Sequence, residues 1–441
     1  MNYKDEFRLI SILLSVLPLS AYALGTIELD SSSFVYKSDA RGNSATSADV
    51  FFAGSSDSRI LHAKFEAGVY SYLGASPQAA FDVRDTYLST QKDLLPNQEI
   101  TVGRRYYEWS KVDHEWSMMS LWSPRFTWDS MHPESVGMTG VFYEWKNRGF
   151  SLLAFASPVA IPEMGTQTSV TNGKIVSTDP LTNPLPTQEN VEGAMTNVEY
   201  SLNMPPLNQI LLRPNFALRG KYSFDSGAWM SMNSGVMPVN MTQLAAEPFI
   251  NATTGVLDVT VHPEFPMRNI NTAEFGYNSP DEDWDLWMSG SYETPFNFVN
   301  QSNWLNPAIT PTSIISAGTD VQLTSNFRFN GGVLFIHEQP FHSSSDLANV
   351  DVTLPTRFPI NQAIKIGGEW RYSDYTQTTM SWIQDLVEQN HLVSLDFQHK
   401  LHRSNIVFGA GADVIFAATT QGWIGQYYGN DRLRGWLKYA F

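Results

Sequence analysis

The 441-residue chain contains no cysteine. That excludes a disulfide framework, a thiol nucleophile and a thiolate-held metal. After its first two dozen residues it also lacks any apolar run near the ~20 residues that a spanning helix needs, and its mean hydropathy is −0.22. No later segment repeats its apolar residues at helical spacing, which excludes a helix bundle as the main architecture. Charged residues make up only 16%, and the formal net charge is −16. Nucleic acid needs a basic surface, so no such partner is expected. Serines are abundant, but none stands in a local motif with a histidine that would activate it. His337, Glu338 and His342 match no helix-borne metal pair, and Asp281, Glu282, Asp283 and Asp285 lack the spaced ligands and glycine of a calcium loop. No enzyme activity, resident metal or cofactor is expected.

Met1 to Arg8 is a short polar segment with Lys4 and Arg8, and an apolar run from Leu9 to Leu19 follows. Ala21-Tyr22-Ala23 then supplies a small-x-small cleavage site, so residues 1–23 read as a secretory signal peptide. Asp5 and Glu6 are unusual in such a segment. Residues 24–441 read as one exported domain made of strand after strand. Leu61, Ala63, Phe65, Ala67 and Val69 alternate with His62, Lys64, Glu66 and Gly68. Phe216, Leu218, Gly220, Tyr222 and Phe224 alternate with Arg219, Lys221, Ser223 and Asp225, and Ile364, Ile366, Gly368, Trp370 and Tyr372 with Lys365, Glu369 and Arg371. Val393, Leu395 and Phe397 face away from Ser394, Asp396 and Gln398, and a similar run spans Ile406 to Val414.

With no spanning helix available, any membrane crossing uses strands, whose two faces average out in hydropathy. An aromatic content of 13% suits the girdles such strands need. Short turns are expected at 146–149, 205–207, 279–283, 324–326, 357–361 and 402–404. Between them lie polar stretches rich in Pro, Ser, Thr and Asn at 159–194, 237–270, 294–313, 338–349, 373–390 and 417–429. Membrane barrels have this asymmetry of short inner turns and long outer loops. The count closes at about 18 strands, or 16 without the weakest, Ala228–Val236 and Val350–Thr356. A soluble sandwich or barrel would show the same alternation. The expected fold is all-β: a transmembrane antiparallel up-and-down β-barrel.

The chain ends Arg432-Leu433-Arg434-Gly435-Trp436-Leu437-Lys438-Tyr439-Ala440-Phe441. Leu433, Gly435, Leu437, Tyr439 and Phe441 share one face; Arg432, Arg434 and Lys438 share the other. This resembles the closing strand of Gram-negative outer-membrane β-barrels. The resemblance implies residence in the cell outer membrane, among lipid and lipopolysaccharide, and recognition of Leu437, Tyr439 and Phe441 by the barrel-assembly machinery. It also admits a homotrimer, the state of many porins.

Arg84-Asp85-Thr86-Tyr87-Leu88-Ser89, followed by Ile100-Thr101-Val102-Gly103-Arg104-Arg105, is similar to a hairpin of specific porins and alginate-export barrels. There a Tyr-Leu pair precedes Gly-Arg-Gln, with the arginine facing the channel. Here Arg105 stands where the pattern has Gln, and the match covers about 25 residues. Ile100, Val102 and Arg104 share a face in a regular strand, so Arg104 needs a bulge near Gly103 or a place beyond the lipid.

The segment from Glu108 to Glu134 holds Trp109, Trp116, Trp122 and Trp128 beside Lys111, Asp113, His114, Glu115, Arg125, Asp129, His132 and Glu134. Two placements suit it. It folds inward and narrows a pore, with Arg84, Arg104, Arg105, Arg125, Asp129 and Glu134 at the constriction and the arginines facing acids across it; or its tryptophans join the outer girdle while its charges face solvent. The expected lumen wall is Lys365, Glu369, Arg371, Asp396, Arg434 and Lys438. A barrel this wide leaves an aqueous lumen. The expected function is a porin-like channel for small hydrophilic solutes, anionic or sugar-like ones included. The alternative is a loop-plugged structural or interaction barrel, serving as anchor, adhesin or machine component.

Overall fold

The computed structural model describes residues 23–35, 45–72, 78–296, 310–338 and 358–440, apart from 92, 128, 130, 166–167, 178–186, 192, 282, 403, 420–421 and 430. Residues 1–22, Phe441 and the weak strand expected at 350–356 therefore lie outside the described residues.

One sheet of nineteen strand segments dominates. Two of these, Gln78–Val83 and Thr86–Thr90, continue each other along the same neighbour, so the sheet has 18 staves. In chain order they begin with β1 (Ala23–Val35), β2 (Ala45–Asp57), β3 (Leu61–Tyr72), the broken β4 (Gln78–Val83 with Thr86–Thr90), β5 (Gln98–Arg105) and β6 (Met138–Asn147). They continue as β7 (Phe150–Ser157), β8 (Asn215–Ser223), β9 (Ala228–Pro238), β10 (Met267–Asn278), β11 (Trp284–Pro295) and β12 (Thr312–Thr324). The last are β13 (Phe327–Glu338), β14 (Gln362–Ser373), β15 (Thr376–Asp385), β16 (His391–Lys400), β17 (Ile406–Phe416) and β18 (Asp431–Ala440). Each pairs antiparallel with the next. The ring closes where β1 meets β18, in register from Thr26↔Ala440 to Val35↔Asp431. Closure leaves no sheet edge, which a wall in lipid requires.

The wall is apolar outside and polar inside. Phe216, Leu218, Phe275, Met288 and Leu395 are exposed on the outer face, and Met232 is 73% exposed. On the alternate positions Ser231, Asn233, Thr272, Glu274, Ser289, Ser291, Ser316 and Asp413 are buried. A soluble protein shows the reverse pattern, so the alternation follows a lipid-facing wall. Tyr222, Phe224, Tyr277, Trp284, Trp370, Tyr372 and Tyr439 stand exposed toward the end with the tight turns, as an aromatic girdle would.

The tight turns lie at one end and the long connections at the other, with four departures from the sequence reading. Residues 205–207 do not join two staves. Ala194–Leu202 instead leaves the wall and pairs in parallel with Val256–Glu264, inside a four-stranded outer sheet completed by Gln188–Val191 and Gln243–Asn251. Its apolar Val198 and Tyr200 pack with Leu257, Val259 and Val261 in a core of their own. Alternation cannot tell which sheet a strand joins, and a short helix, Leu207–Leu211, carries the chain back to the wall. The tight turn falls instead at 224–227, where Gly227 takes φ +91°, so Ala228–Pro238 is a full stave. Residues 358–361 belong to the loop end, because Phe358 and Ile360 are buried there against Trp423, Ile424 and Tyr427. Finally, 373–390 is not one loop: its threonines, which favour extended backbone, build β15 after a tight turn at 374–375.

Candidate functional site

After Arg105 the chain turns into the barrel. Ser110 caps helix α1 (Lys111–Glu115), its Oγ accepting the Asp113 N–H at 3.2 Å, and a 3-10 turn at Ser117–Met119 follows. Val112, Asp113 and Trp116 are buried and His114 is exposed, whereas Lys111 and Glu115, one helical step apart, are half-buried beside Asp285 and Lys365 of the wall. Trp109, Trp116 and Trp122 are 1%, 0% and 0% exposed. Trp109 stacks on Trp122 with centroids 5.6 Å apart. These tryptophans are in the interior, not in the outer girdle; Trp128 lies outside the described residues.

A loop buried this deeply must satisfy its backbone, and the inward side chains of the wall do so. Asn233 donates to Trp109 O at 2.5 Å and Lys365 to Glu115 O at 2.9 Å, while Arg219 reaches Glu108 O and Arg268 reaches Leu121 O. Trp116 Nε1 donates to Ser316 Oγ at 3.1 Å, and Trp122 Nε1 to Thr272 Oγ1 at 3.0 Å. The Lys111 N–H meets Glu274 at 2.7 Å and its ammonium meets Asp285 at 3.0 Å. Burial alone would lower that ammonium, but Glu108 and Asp285 outweigh it and raise it. Within the segment, buried Asp113 accepts the N–H groups of Leu121 at 2.6 Å and Ser123 at 2.8 Å. Burial pushes its carboxyl up despite those donors. Asp113 thus ties α1 to the chain ten residues later.

The segment then crosses to the opposite wall. Arg125 pairs with Glu163 at 2.8 Å. Asp129 takes both oxygens to Arg432 at 2.8 and 3.0 Å. His132 Nε2 lies 2.9 Å from Asp413, and Glu134 meets Arg84 on the way back to β6. One stretch of 32 residues, 106–137, therefore touches staves β4, β8 to β12, β14, β17 and β18. It divides the lumen.

The arginines expected to face acids across a gap are placed otherwise. Arg104 is 5% exposed and binds Asp82 at 2.9 Å, Val83 O at 2.5 Å and Gly137 O at 2.9 Å. It clamps the broken stave β4 to the end of the segment and presents nothing to a passing solute. Its placement comes from Gly103, at φ +132°, where a Cβ would sit 2.3 Å from Thr86 O. Arg105 pairs along its own stave with Glu99 and packs over the rings of Tyr87 and Tyr107, at 4.6 and 4.7 Å. Arg84 sits over Tyr70 and Phe126. Of the expected wall, Asp396 of β16 and Arg434 of β18 pair at 2.7 Å over Gly411 of the intervening β17, and Glu369 pairs with Arg371 at 2.5 Å near the turn end. Lys438 is exposed, Leu437 and Tyr439 face outward, and Phe441 lies outside the described residues.

Arg268, Glu293, Asp82 and Glu274 escaped the sequence reading. Arg268 and Glu293 are 1% and 0% exposed and pair at 2.6 Å under Leu121. The signal for them was there: Arg268, Ile270, Thr272 and Glu274 alternate with outward residues, as do Ser289, Ser291 and Glu293.

No protein-family model matches the chain, and no curated protein does either. Solved structures do. Pseudomonas aeruginosa OccK2 (OpdF), in a complex with glucuronate, matches at 10% identity and a TM-score of 0.54, over 96% of each chain. A BenF-like porin from Pseudomonas fluorescens Pf-5 matches at 8% identity and a TM-score of 0.53, over 96% of this chain and 99% of that one. Pseudomonas aeruginosa OccD3 (OpdP) matches at 10% identity and a TM-score of 0.51, over 96% and 92%. Likeness at such low identity speaks to fold and to nothing finer: the chain has the β-barrel fold of outer-membrane porins.

Proposed function

We propose that this protein is a porin-like channel of the outer membrane, a passive path for small hydrophilic solutes and not an enzyme. The observation that carries this reading is a closed ring of 18 staves with a charged interior, divided by the segment 106–137. His114 on the segment is exposed, and Arg219 and Lys221 point inward from the wall. Neither Arg219 nor Lys221 has a carboxylate within ion-pair distance among the described residues; Lys221 lies 4.6 Å over the Trp229 ring. Cations beside an aromatic face suit an anionic or sugar-like solute, offering both a donor and a plane.

The apolar cover at the loop end favours a second reading, a barrel kept shut by its loops with the outer four-stranded sheet as a binding surface. Liposome swelling separates the two. Refolded barrel in liposomes should admit glycerol, a hexose and glucuronate at rates that fall with size, faster for the uronate than for a neutral sugar of equal size. Liposomes that fail to swell in any of them, with a folded barrel in the bilayer, refute the channel and leave the plugged barrel.

A further inference from the structure

The limb from Asp129 to Glu134 is held differently from the half that precedes it. Trp109 to Ser123 is packed among apolar side chains and bonded through its backbone. The side-chain bonds that tie Asp129, His132 and Glu134 to the wall run to Arg432, Asp413 and Arg84, so both partners carry or can carry charge. Among the described residues Met131 and Pro133 add apolar burial, and Glu134 pairs in a short strand with Phe126.

At the centre stands Asp413 of β17, which is 0% exposed. It accepts Arg432 Nε at 2.6 Å, meets His132 Nε2 at 2.9 Å and lies within ion-pair distance of Arg434 Nε at 3.0 Å. Arg432 also holds Asp129, and Arg434 also holds Asp396 of β16 at 2.7 Å. Asp431, next along β18, accepts the Ile415 N–H at 2.7 Å. Three carboxylates, Asp129, Asp396 and Asp413, thus face two guanidiniums and one imidazole. The charges balance only when the imidazole is protonated, and an uncompensated charge at the buried Asp413 is costly. Histidine is the side chain whose charge ordinarily changes between pH 5 and 8. Burial pushes the Asp129 carboxyl up, but Arg432 and His132 outweigh it and hold it at about 2, so that carboxylate keeps its charge across this range.

We propose that the 129–134 limb is an ionic latch, docked across the lumen while His132 is protonated and released from β17 and β18 when His132 is neutral. Taken with the channel reading above, on which its conductance signature rests, the latch gives two conductance levels whose balance follows pH. The larger level gains several-fold in occupancy between pH 5.5 and 8.5.

The test uses the refolded chain in planar bilayers at both pH values, with His132→Gln and His132→Arg beside the natural protein. His132→Gln should favour the larger level at both pH values, and His132→Arg the smaller level at both. A natural protein whose levels ignore pH, or a His132→Gln variant that keeps the natural pH dependence, overturns the latch. Spin labels on Ser135→Cys and Ala418→Cys, possible because the chain has no other cysteine, read the limb without any current. A folded barrel that conducts nothing, yet shows a longer label distance at pH 8.5, keeps the latch and refutes the channel. A distance unchanged between the two pH values overturns the latch.

Discussion

Removing Lys111–Ser120 and bridging the gap with Gly–Ser residues tests the division of the lumen. Strands ~4.8 Å apart, tilted about 40°, put the backbone of an 18-stave ring at a radius of about 18 Å. Side chains about 5 Å deep leave a lumen about 26 Å across. A helix with side chains is about 10 Å thick, so α1 and its flanks laid across that lumen occupy roughly half of its section. Their removal should raise single-channel conductance at least about twofold, since current scales with open section. The staves lose no strand pairing, because the segment meets the wall through side chains and its own backbone oxygens. The variant should therefore keep its heat-modifiable migration on a gel and its β circular dichroism. A folded variant with unchanged conductance would refute the placement of the segment in the conducting path.

Three further outcomes follow from individual residues. Asp113→Ala removes acceptors for two buried N–H groups, each charge-assisted bond contributing about 1.5–3 kcal/mol, partly offset by removal of a buried charge. Amide exchange should accelerate at Leu121 and Ser123 while the denaturation midpoint of the barrel stays put. Gly103→Ala forces a side chain into φ +132° against Thr86 and should cost about 1–3 kcal/mol from backbone strain alone, read as a lower urea midpoint. The third concerns acid. The folded carboxyl of Asp129 lies near 2, below its unfolded value near 4, so its stabilisation is complete above pH ~5 and is lost as pH falls toward 2. Spin-label distances to the limb should hold at pH 4.5 and lengthen below pH 3.

The barrel was legible because its two faces meet different solvents. Phe216, Leu218 and Tyr222 against Arg219 and Lys221 state a period of two that neither a helix nor a loop would keep. The same period misassigned Ala194–Leu202, whose Val198 and Tyr200 alternate equally well but serve a core outside the wall. β15 was lost for the opposite reason, since Thr376 to Thr379 carry too little apolar character to mark a face. In the site, the density of tryptophan and charge between Glu108 and Glu134 singled out the stretch that folds into the barrel. The individual pairings did not follow from it. Arg104 finds Asp82, and Asp129 finds Arg432, through contacts 22 and 303 residues apart, which depend on ring closure and on one glycine's φ. No local pattern carries that information.

Planar-bilayer recording of the refolded chain, with the reversal potential taken under a salt gradient, tests the central claim most directly. Steady unitary steps are predicted, with a reversal potential displaced toward anion selectivity by Arg219 and Lys221 at the divided lumen. A correctly folded barrel that passes no current contradicts the account.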